Sequence, residues 1–246
     1  MINSNEIKRT ELYHSGKANN VYLTNNANYL ELESSNRISA GNGVKTDVID
    51  GKGVSNNIVS SAIFSILEEK GIPTHYVGLG SNDASKIVKR ATPILLEVIG
   101  RLKASGSYVK RYNVPPMMTF DPILVEYTYK SDAAGDPFIG ENAIISNNIL
   151  TKRELGYIEY ITEQVGLITY DFFAKCNIEL IDYKIEFGRL PNDRIVLIDE
   201  ISPDTCRLLD MESGRCLDKD RFRKDLGNVS GTYEEVARRV LKLSKK

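Results

Sequence analysis

The chain has 246 residues, 41% of them hydrophobic and 26% charged, enough for one large domain or two modest lobes to bury a core without disulfide or metal staples. With 32 Lys and Arg against 33 Asp and Glu, the formal net charge is −1, which excludes the broad basic field that nucleic acid or an anionic membrane would need. Three cysteines (Cys176, Cys206 and Cys216) with no CxxC pair, and only His14 and His75, argue for reduced thiols and against a zinc site.

The start, MINSNEIKRT, lacks the apolar centre of a signal peptide, and no run reaches the ~18 apolar residues of a membrane span, so a cytoplasmic protein is expected. VYLT (21–24) and NYLELE (28–33) read as strands joined through NNA, a hairpin that follows the small-residue loop SGKANN. From residue 55 to 70, Ile58, Val59, Ala62, Ile63, Ile66 and Leu67 recur at helical spacing, and Gly71, Ile72 and Pro73 stop the helix. The apolar run ILLEVIG (94–100) predicts a buried strand that delivers Arg101 and the polar KASGS to its far end. A lobe boundary is expected there, dividing the chain into 1–97 and 98–246.

Beyond it, YNVPPMMTFDP is a proline-rich connection, ILVEYTYK resumes strand character, and SDAAGDP is a turn or loop. Thr151 and Glu154 have capping-box spacing, and Ile158, Ile161, Val165, Ile168 and Phe172 mark the apolar stripe of a long helix that Asn177 ends. A hairpin turning at GRLPND follows, and Thr232 with Glu235 repeats the capping signal before a final amphipathic helix. Strands and helices interleave irregularly and without internal repeats, so an α+β fold is expected in place of a doubly wound sheet.

Four segments carry chemistry. In LIDYKIEFGRLPNDRIVLIDEISPDTCR (180–207), Ile181, Tyr183, Ile185 and Phe187 alternate with Asp182, Lys184 and Glu186, so a strand here turns one face to the core and the other to chemistry. Carboxylates spaced this way beside a lysine can hold Mg2+, with Glu186 and Asp199 as the natural pair. The competing reading is a solvated strand face whose ion pairs contribute only about 0–1 kcal/mol each. GKANNVY (16–22) is a small-residue loop where backbone N–H groups and Lys17 can meet a polyphosphate; it matches neither GxxxxGK[ST] nor GxGxxG, and an ordinary turn with an exposed lysine is the alternative. RLKASGSYVKR (101–111) offers Arg101 and Ser107 as phosphate donors beside Gly106, or is a polar loop with solvated basic residues. In DEISPDTCR (199–207), strand-terminal acids precede a proline turn from which Arg207 can reach back to the same anion as Arg101; a capped turn is the alternative. His14 and His75 are assigned to structure or surface, and Cys206 has no nearby histidine to activate it.

Taken together, LYHSGKANNVY, ISAGNGVKTDVIDGKG, GSYVKR, KSDAAGDP, DYKIEFG, DEISPDTCR and DKDRFRKDLG resemble, in order and approximate spacing, the motifs of the SAICAR synthetase family, from residue 12 to about 239. The resemblance implies ligation of L-aspartate to the carboxylate of carboxyaminoimidazole ribotide (CAIR), driven by ATP with Mg2+. It also implies a two-lobed fold: a smaller, kinase-like, β-rich N-terminal lobe, a larger α+β C-terminal lobe, and ATP in the cleft. On that pattern Gly16, Lys17 and Ala18 would cover the ATP phosphates, and Glu186 and Asp199 would hold Mg2+. Arg101, Ser107 and Arg207 would bind the ribotide phosphate. Lys184 would lie near the reacting carboxylate and Asp204 near the imidazole, with Asp182 supporting the polar face and Lys219, Asp220 and Arg223 on the substrate side. The partners implied are small molecules, with no nucleic acid and no membrane; a homo-oligomer is compatible with the sequence, which does not fix an assembly state.

There are departures from the family pattern. A second loop lysine is replaced by Asn19, a charge that Lys17 or Lys45 would have to make good; the usual VRN reads GRL, with Gly100 and Leu102; and a frequent aspartate is Asn42. Two other readings are a non-catalytic nucleotide- or ribotide-binding homologue and a kinase-like phosphotransferase. The first has only Asn19 and Leu102 in its favour, and the second lacks any HRD or DFG pattern. Retention of Lys184, Glu186, Asp199, Asp204 and Arg207 favours the ligase.

Overall fold

Short runs of alternating side chains separated by turn residues set up an antiparallel N-terminal sheet. In the computed structural model, which describes residues 4–41 and 43–244, Arg9–Ser15 (β1), Asn19–Thr24 (β2) and Tyr29–Ser34 (β3) pair in succession. The expected hairpin is β2–β3. The preceding RTELYHS is polar and largely exposed, and only its edge pairing with β2 makes it a strand. Arg37–Ala40 (β4) and Lys45–Val48 (β5) form a separate two-stranded hairpin. Lys52–Glu69 (α1) covers the predicted helix and starts three residues before residue 55. Tyr76–Leu79 (β6) and Ser85–Lys89 (β7) then complete the sheet in the order β1-β2-β3-β7-β6.

Thr92–Lys103 (β8), Thr119–Tyr129 (β9), Ile178–Arg189 (β10), Ile195–Ile198 (β11) and Cys206–Asp210 (β12) build the second sheet. The chain passes from one sheet to the other between Lys89 and Thr92, and residues 97 and 98 lie inside β8. β10 is the central strand. β8 runs along one of its edges, whereas the other edge is shared: β11 pairs with residues 186–189 and β12 with residues 178–183. The loop 199–205 spans the gap, and its Thr205 carbonyl accepts the Lys184 amide at 2.8 Å. This broken strand edge carries Asp199, Glu200 and Asp204 past the middle of β10. The lobes are stitched together at β11, where His75 N–H donates to the Leu197 carbonyl and Leu197 N–H to the Pro73 carbonyl, both at 2.9 Å.

The predicted capping box opens Lys152–Lys175 (α4): the Thr151 hydroxyl accepts the Glu154 N–H, and the Glu154 carboxylate accepts the Thr151 N–H at 2.8 Å. Asn177, in the left-handed region at φ 58°, follows its end. Ile158, Ile161, Val165 and Phe172 join one core with Val59, Ile63 and Phe64 of α1 and Ile185 and Phe187 of β10. Full burial of side chains of this size contributes roughly 1.5–3 kcal/mol each. Two short helices, Gly106–Tyr112 (α2) and Glu141–Ser146 (α3), occupy segments with no sequence signal for helix, and Gly106–Tyr112 replaces the expected polar loop. Asp220–Arg223 (α5) precedes the final helix, Val229–Ser244 (α6). Here the second capping signal fails: Thr232 lies inside α6, its hydroxyl donating to the Asn228 carbonyl at 2.8 Å, so it bonds back along the helix instead of capping it. The three cysteines are free, and among the described residues no helix is long and apolar enough to cross a membrane.

Candidate active site

The acidic strand face is buried. Asp182 and Glu186 are only 4% and 6% exposed, which rules out the solvated-face reading. Strand register sets Glu186 opposite Glu97 of β8 and Ile198 of β11, and Asp199 turns off the end of β11 at φ 66°. Three carboxylates therefore surround the Lys184 ammonium, with Glu186 at 2.9 Å, Glu97 at 3.1 Å and Asp199 at 3.5 Å. Lys130, just past β9, reaches the other Glu186 oxygen at 2.5 Å. Burial opposes the Lys184 charge, but Glu186, Asp199 and Glu97 outweigh it and raise its pKa well above the ordinary lysine range. Burial also opposes ionisation of Glu186, yet Lys184 and Lys130 hold its pKa low. For Asp199, burial and the Glu186 charge win, pushing its carboxyl up to about 7.

One step along β10, Asp182 pairs with Arg101 of β8 and Arg207 of β12, and a single carboxylate oxygen accepts both guanidiniums, at 2.8 and 2.7 Å. Arg101 also donates to Glu126 at 2.8 Å and to the Ser107 hydroxyl at 3.3 Å. Gly106 makes room for this: a Cβ there would sit 2.5 Å from an Arg207 nitrogen, and its φ of +52° is one that side chains rarely adopt. Arg101, Ser107 and Arg207 thus converge from three elements, of which β12 is distant in sequence from the other two. Behind Arg207, Asp220 accepts its Nε at 3.4 Å and is itself held by Arg223 at 2.7 Å and Lys224 at 2.8 Å.

Asp204 is enclosed. Its Oδ2 accepts Lys52 at 2.5 Å and Asn56 at 2.9 Å, and its Oδ1 accepts the Tyr233 hydroxyl at 2.8 Å. Lys219 lies close enough to act on it electrostatically, and burial lowers the Lys219 pKa. Lys52, Asn56, Tyr233, Glu97, Glu126 and Lys130 all escaped the sequence reading. Lys52 and Lys130 lay inside the motifs DGKG and KSDAAGDP without being assigned a role, and Asn56 sits one helical turn after Lys52.

The family model described as SAICAR synthetase matches residues 12–240. The chain belongs to the SAICAR synthetase family. A phosphoribosylaminoimidazole-succinocarboxamide synthase of Akkermansia muciniphila is 42% identical over 232 residues, covering 94% of this chain and 98% of that protein. The crystal structure of the Ehrlichia chaffeensis synthase superposes with a TM-score of 0.90 at 38% identity, covering 94% of this chain and 98% of the other. A SAICAR synthetase in complex with ADP gives 0.87 at 37% identity, covering 94% and 97%.

Within the SAICAR synthetase pattern, the departures have local explanations. Gly16, Lys17 and Ala18 form the turn between β1 and β2, closed by a 2.8 Å bond from the Gly16 N–H to the Asn19 carbonyl. Arg37 lies under this turn, donating to the Gly16 carbonyl at 2.8 Å and to the Ser15 and Asn20 side chains, so a cation remains beside Asn19. Lys45 is instead tied down at α5, 2.6 Å from both the Phe222 carbonyl and Asp225. Gly100 is dictated by Tyr183: a Cβ at Gly100 would lie 2.2 Å from the Tyr183 ring, which is wedged against Gly166 with its hydroxyl on the Thr162 carbonyl at 2.6 Å. Leu102 packs against the core. Asn42 lies outside the described residues.

Proposed function

We propose that the chain ligates L-aspartate to the carboxylate of CAIR, using ATP and giving SAICAR, ADP and phosphate. One observation carries this reading: the carboxylate cluster around Lys184 and Glu186 of β10 lies beside the cationic cluster of Arg101, Ser107 and Arg207, which is held to the same strand by Asp182. A site that activates one anion with another needs both, and needs them adjacent.

In this scheme a carboxylate oxygen of CAIR attacks the γ-phosphorus and ADP leaves. The aspartate amine then attacks the acyl phosphate carbon, losing a proton as phosphate departs. Arg101 and Arg207 hold the ribotide phosphate with charge-assisted hydrogen bonds, Ser107 adds a hydroxyl, and Asp182 fixes both guanidiniums. Lys184 lies at the reacting carboxylate, and Lys130 joins Lys184 as a cation able to meet the transferring phosphoryl group. The turn Gly16, Lys17 and Ala18 covers the phosphates from the other lobe. Asp204 and Lys219 face the imidazole side, and Asp220 and Arg223 brace Arg207.

Glu186 and Asp199 fit Mg2+. They are hard oxygen donors close to one Lys184 ammonium, and burial and the Glu186 charge both disfavour ionised Asp199, a cost that a divalent cation would offset. Among the described residues no three metal-binding side chains form a ready cage, so phosphate oxygens and water would complete the coordination. Bound there, Mg2+ supplies neutralisation of triphosphate charge. A cytoplasmic location, with CAIR and L-aspartate as small-molecule partners, completes the reading.

The test is ADP release with CAIR present. Strict dependence on L-aspartate is expected, and ADP formed equally well without aspartate would point to a phosphotransferase and overturn the ligase.

A further inference from the structure

The DGKG segment opens α1 with a lysine that the scheme above leaves without a task. Lys52 and Asn56 are each 1% exposed, and with Ser60 they form a stripe four residues apart along one side of the helix. The whole stripe meets the loop 199–205. Lys52 and Asn56 donate to Asp204, as described, and the Ser60 hydroxyl accepts the Ile201 N–H at 3.4 Å. Lys52 also donates to the Ser35 carbonyl at 3.2 Å, and the Ser35 N–H donates to the Ala18 carbonyl at 2.8 Å. One buried ammonium therefore joins the turn of the N-terminal lobe to Asp204 of the C-terminal lobe.

Stability alone is a poor reason for such a pair, because apolar residues of the same volume often serve a core as well as a buried ion pair or better. Acceptor geometry gives a better one. An ionised carboxylate has about four acceptor positions. Lys52, Asn56 and Tyr233 occupy three, two on Oδ2 and one on Oδ1. What remains is one position on Oδ1, and the Lys219 ammonium, which acts on Asp204 through its charge, has no hydrogen-bond partner among the described residues.

We propose that Lys52, with Asn56 and Tyr233, is a positioning residue that locks the Asp204 carboxylate so that its last acceptor position faces the ribotide ring, and that it couples this orientation to the phosphate-covering turn through Ser35. The inference rests on the reading of Asp204 as a ribotide contact. The groups facing Asp204 are Lys52 from α1, Tyr233 from α6 and Lys219 from the turn before α5, with Glu200 and Asp218 also acting on Tyr233. Burial opposes the Asp204 charge, and Lys52 and then Lys219 hold its pKa below the usual range.

Four variants of the full chain test this: Tyr233→Phe, Lys52→Met, Asp204→Asn and the double variant Lys52→Met/Asp204→Asn, each assayed for the KM of CAIR, the KM of ATP and the pH profile of kcat/KM for CAIR. Tyr233→Phe, which touches only one bond of the clamp, is expected to raise the CAIR KM about ten- to hundredfold, the scale of one hydrogen bond to a charged group, with the ATP KM unchanged. Lys52→Met is expected to move the acid limb up by about one pH unit or more, since the largest charge favouring ionisation is gone. The double variant removes both buried charges and so leaves neither unpaired, and it is expected to fold and to remain as impaired as Asp204→Asn. A wild-type CAIR KM and acid limb in Tyr233→Phe and in Lys52→Met overturn the clamp, and Tyr233→Phe decides alone should Lys52→Met not fold. Wild-type turnover in Asp204→Asn or in the double variant overturns instead the assignment of Asp204 to the ribotide, and the inference with it.

Discussion

Arg207 is paired inside the protein with Asp182 and Asp220, and in the proposed scheme it also meets the ribotide phosphate. Removing it by Arg207→Ala takes away charge-assisted bonds worth roughly 1.5–3 kcal/mol each, so the CAIR KM is expected to rise by at least about 100-fold if two are lost. Binary ATP affinity, measured by titration calorimetry, is expected to stay within about twofold; an equal loss of both would contradict the phosphate-clamp role. Asp199→Asn removes a hard oxygen donor, and turnover is expected to fall by at least about 100-fold, with the deficit not recovered by millimolar Mg2+. Near-normal rates would refute the metal role. At this scale the residues legible from sequence were those whose type states a function: Arg101, Ser107, Lys184, Glu186, Asp199 and Arg207. Lys130, Glu97 and Glu126 were not legible, because their part depends on cross-strand neighbours that only the register of β8, β9 and β10 supplies.

Elements show where local patterns suffice and where they do not. α4 was readable from end to end because a capping box and an apolar stripe are both local, satisfied by bonds three residues apart and by a 3.6-residue period. The cap assigned to Thr232 failed because the same residue types also serve a hydroxyl bonding back four residues, and the choice between them was made by where α6 docks. β8 carries the sharpest consequence. Gly100→Val, which restores the residue usual in the family, places a Cβ 2.2 Å from the Tyr183 ring. Such overpacking costs about 1–3 kcal/mol, and at about 2–4 °C per kcal/mol for a chain of this size the melting temperature is expected to drop by several degrees. Adding Tyr183→Leu should recover most of that loss in a thermal melt. No recovery would mean that Gly100 is needed for its backbone.

Across the whole molecule, an arginine ties each end of α4 to the rest of the fold. At its start, Arg189 of β10 bonds Glu154 at 2.5 Å and, with Thr151, holds that carboxyl down at about 2. At its end, Arg239 of α6 donates to the Asn177 carbonyl at 3.0 Å and to Asp210 and Glu235 at 2.5 Å each. Ser213 and Arg239 hold Asp210 well below the carboxylate range; burial opposes the Glu235 charge, but Arg215 and Arg239 outweigh it. Folded pKa values below the unfolded ones mean that these groups stabilise the protein above about pH 4.5, and that this contribution is lost as pH falls toward 2. The melting temperature is expected to fall over that window, and Arg239→Ala should flatten the fall by lowering the pH 7 value more than the pH 3 value. Parallel curves for the variant and wild type would exclude these ties as the cause.

The amino-acid sequence by itself determined the α+β class, the long capped helix, the central acidic hairpin and the family, because periodicity, capping and colinear motifs are written in neighbouring residues. Tertiary structure alone decided that β10 shares one edge between two strands, that the loop filling the gap carries Asp199 and Asp204 past it, and that Lys52 from the other lobe reaches Asp204. Those partners are far apart in the chain, and no local pattern records which buried cation a buried carboxylate will meet once the two sheets have closed on each other.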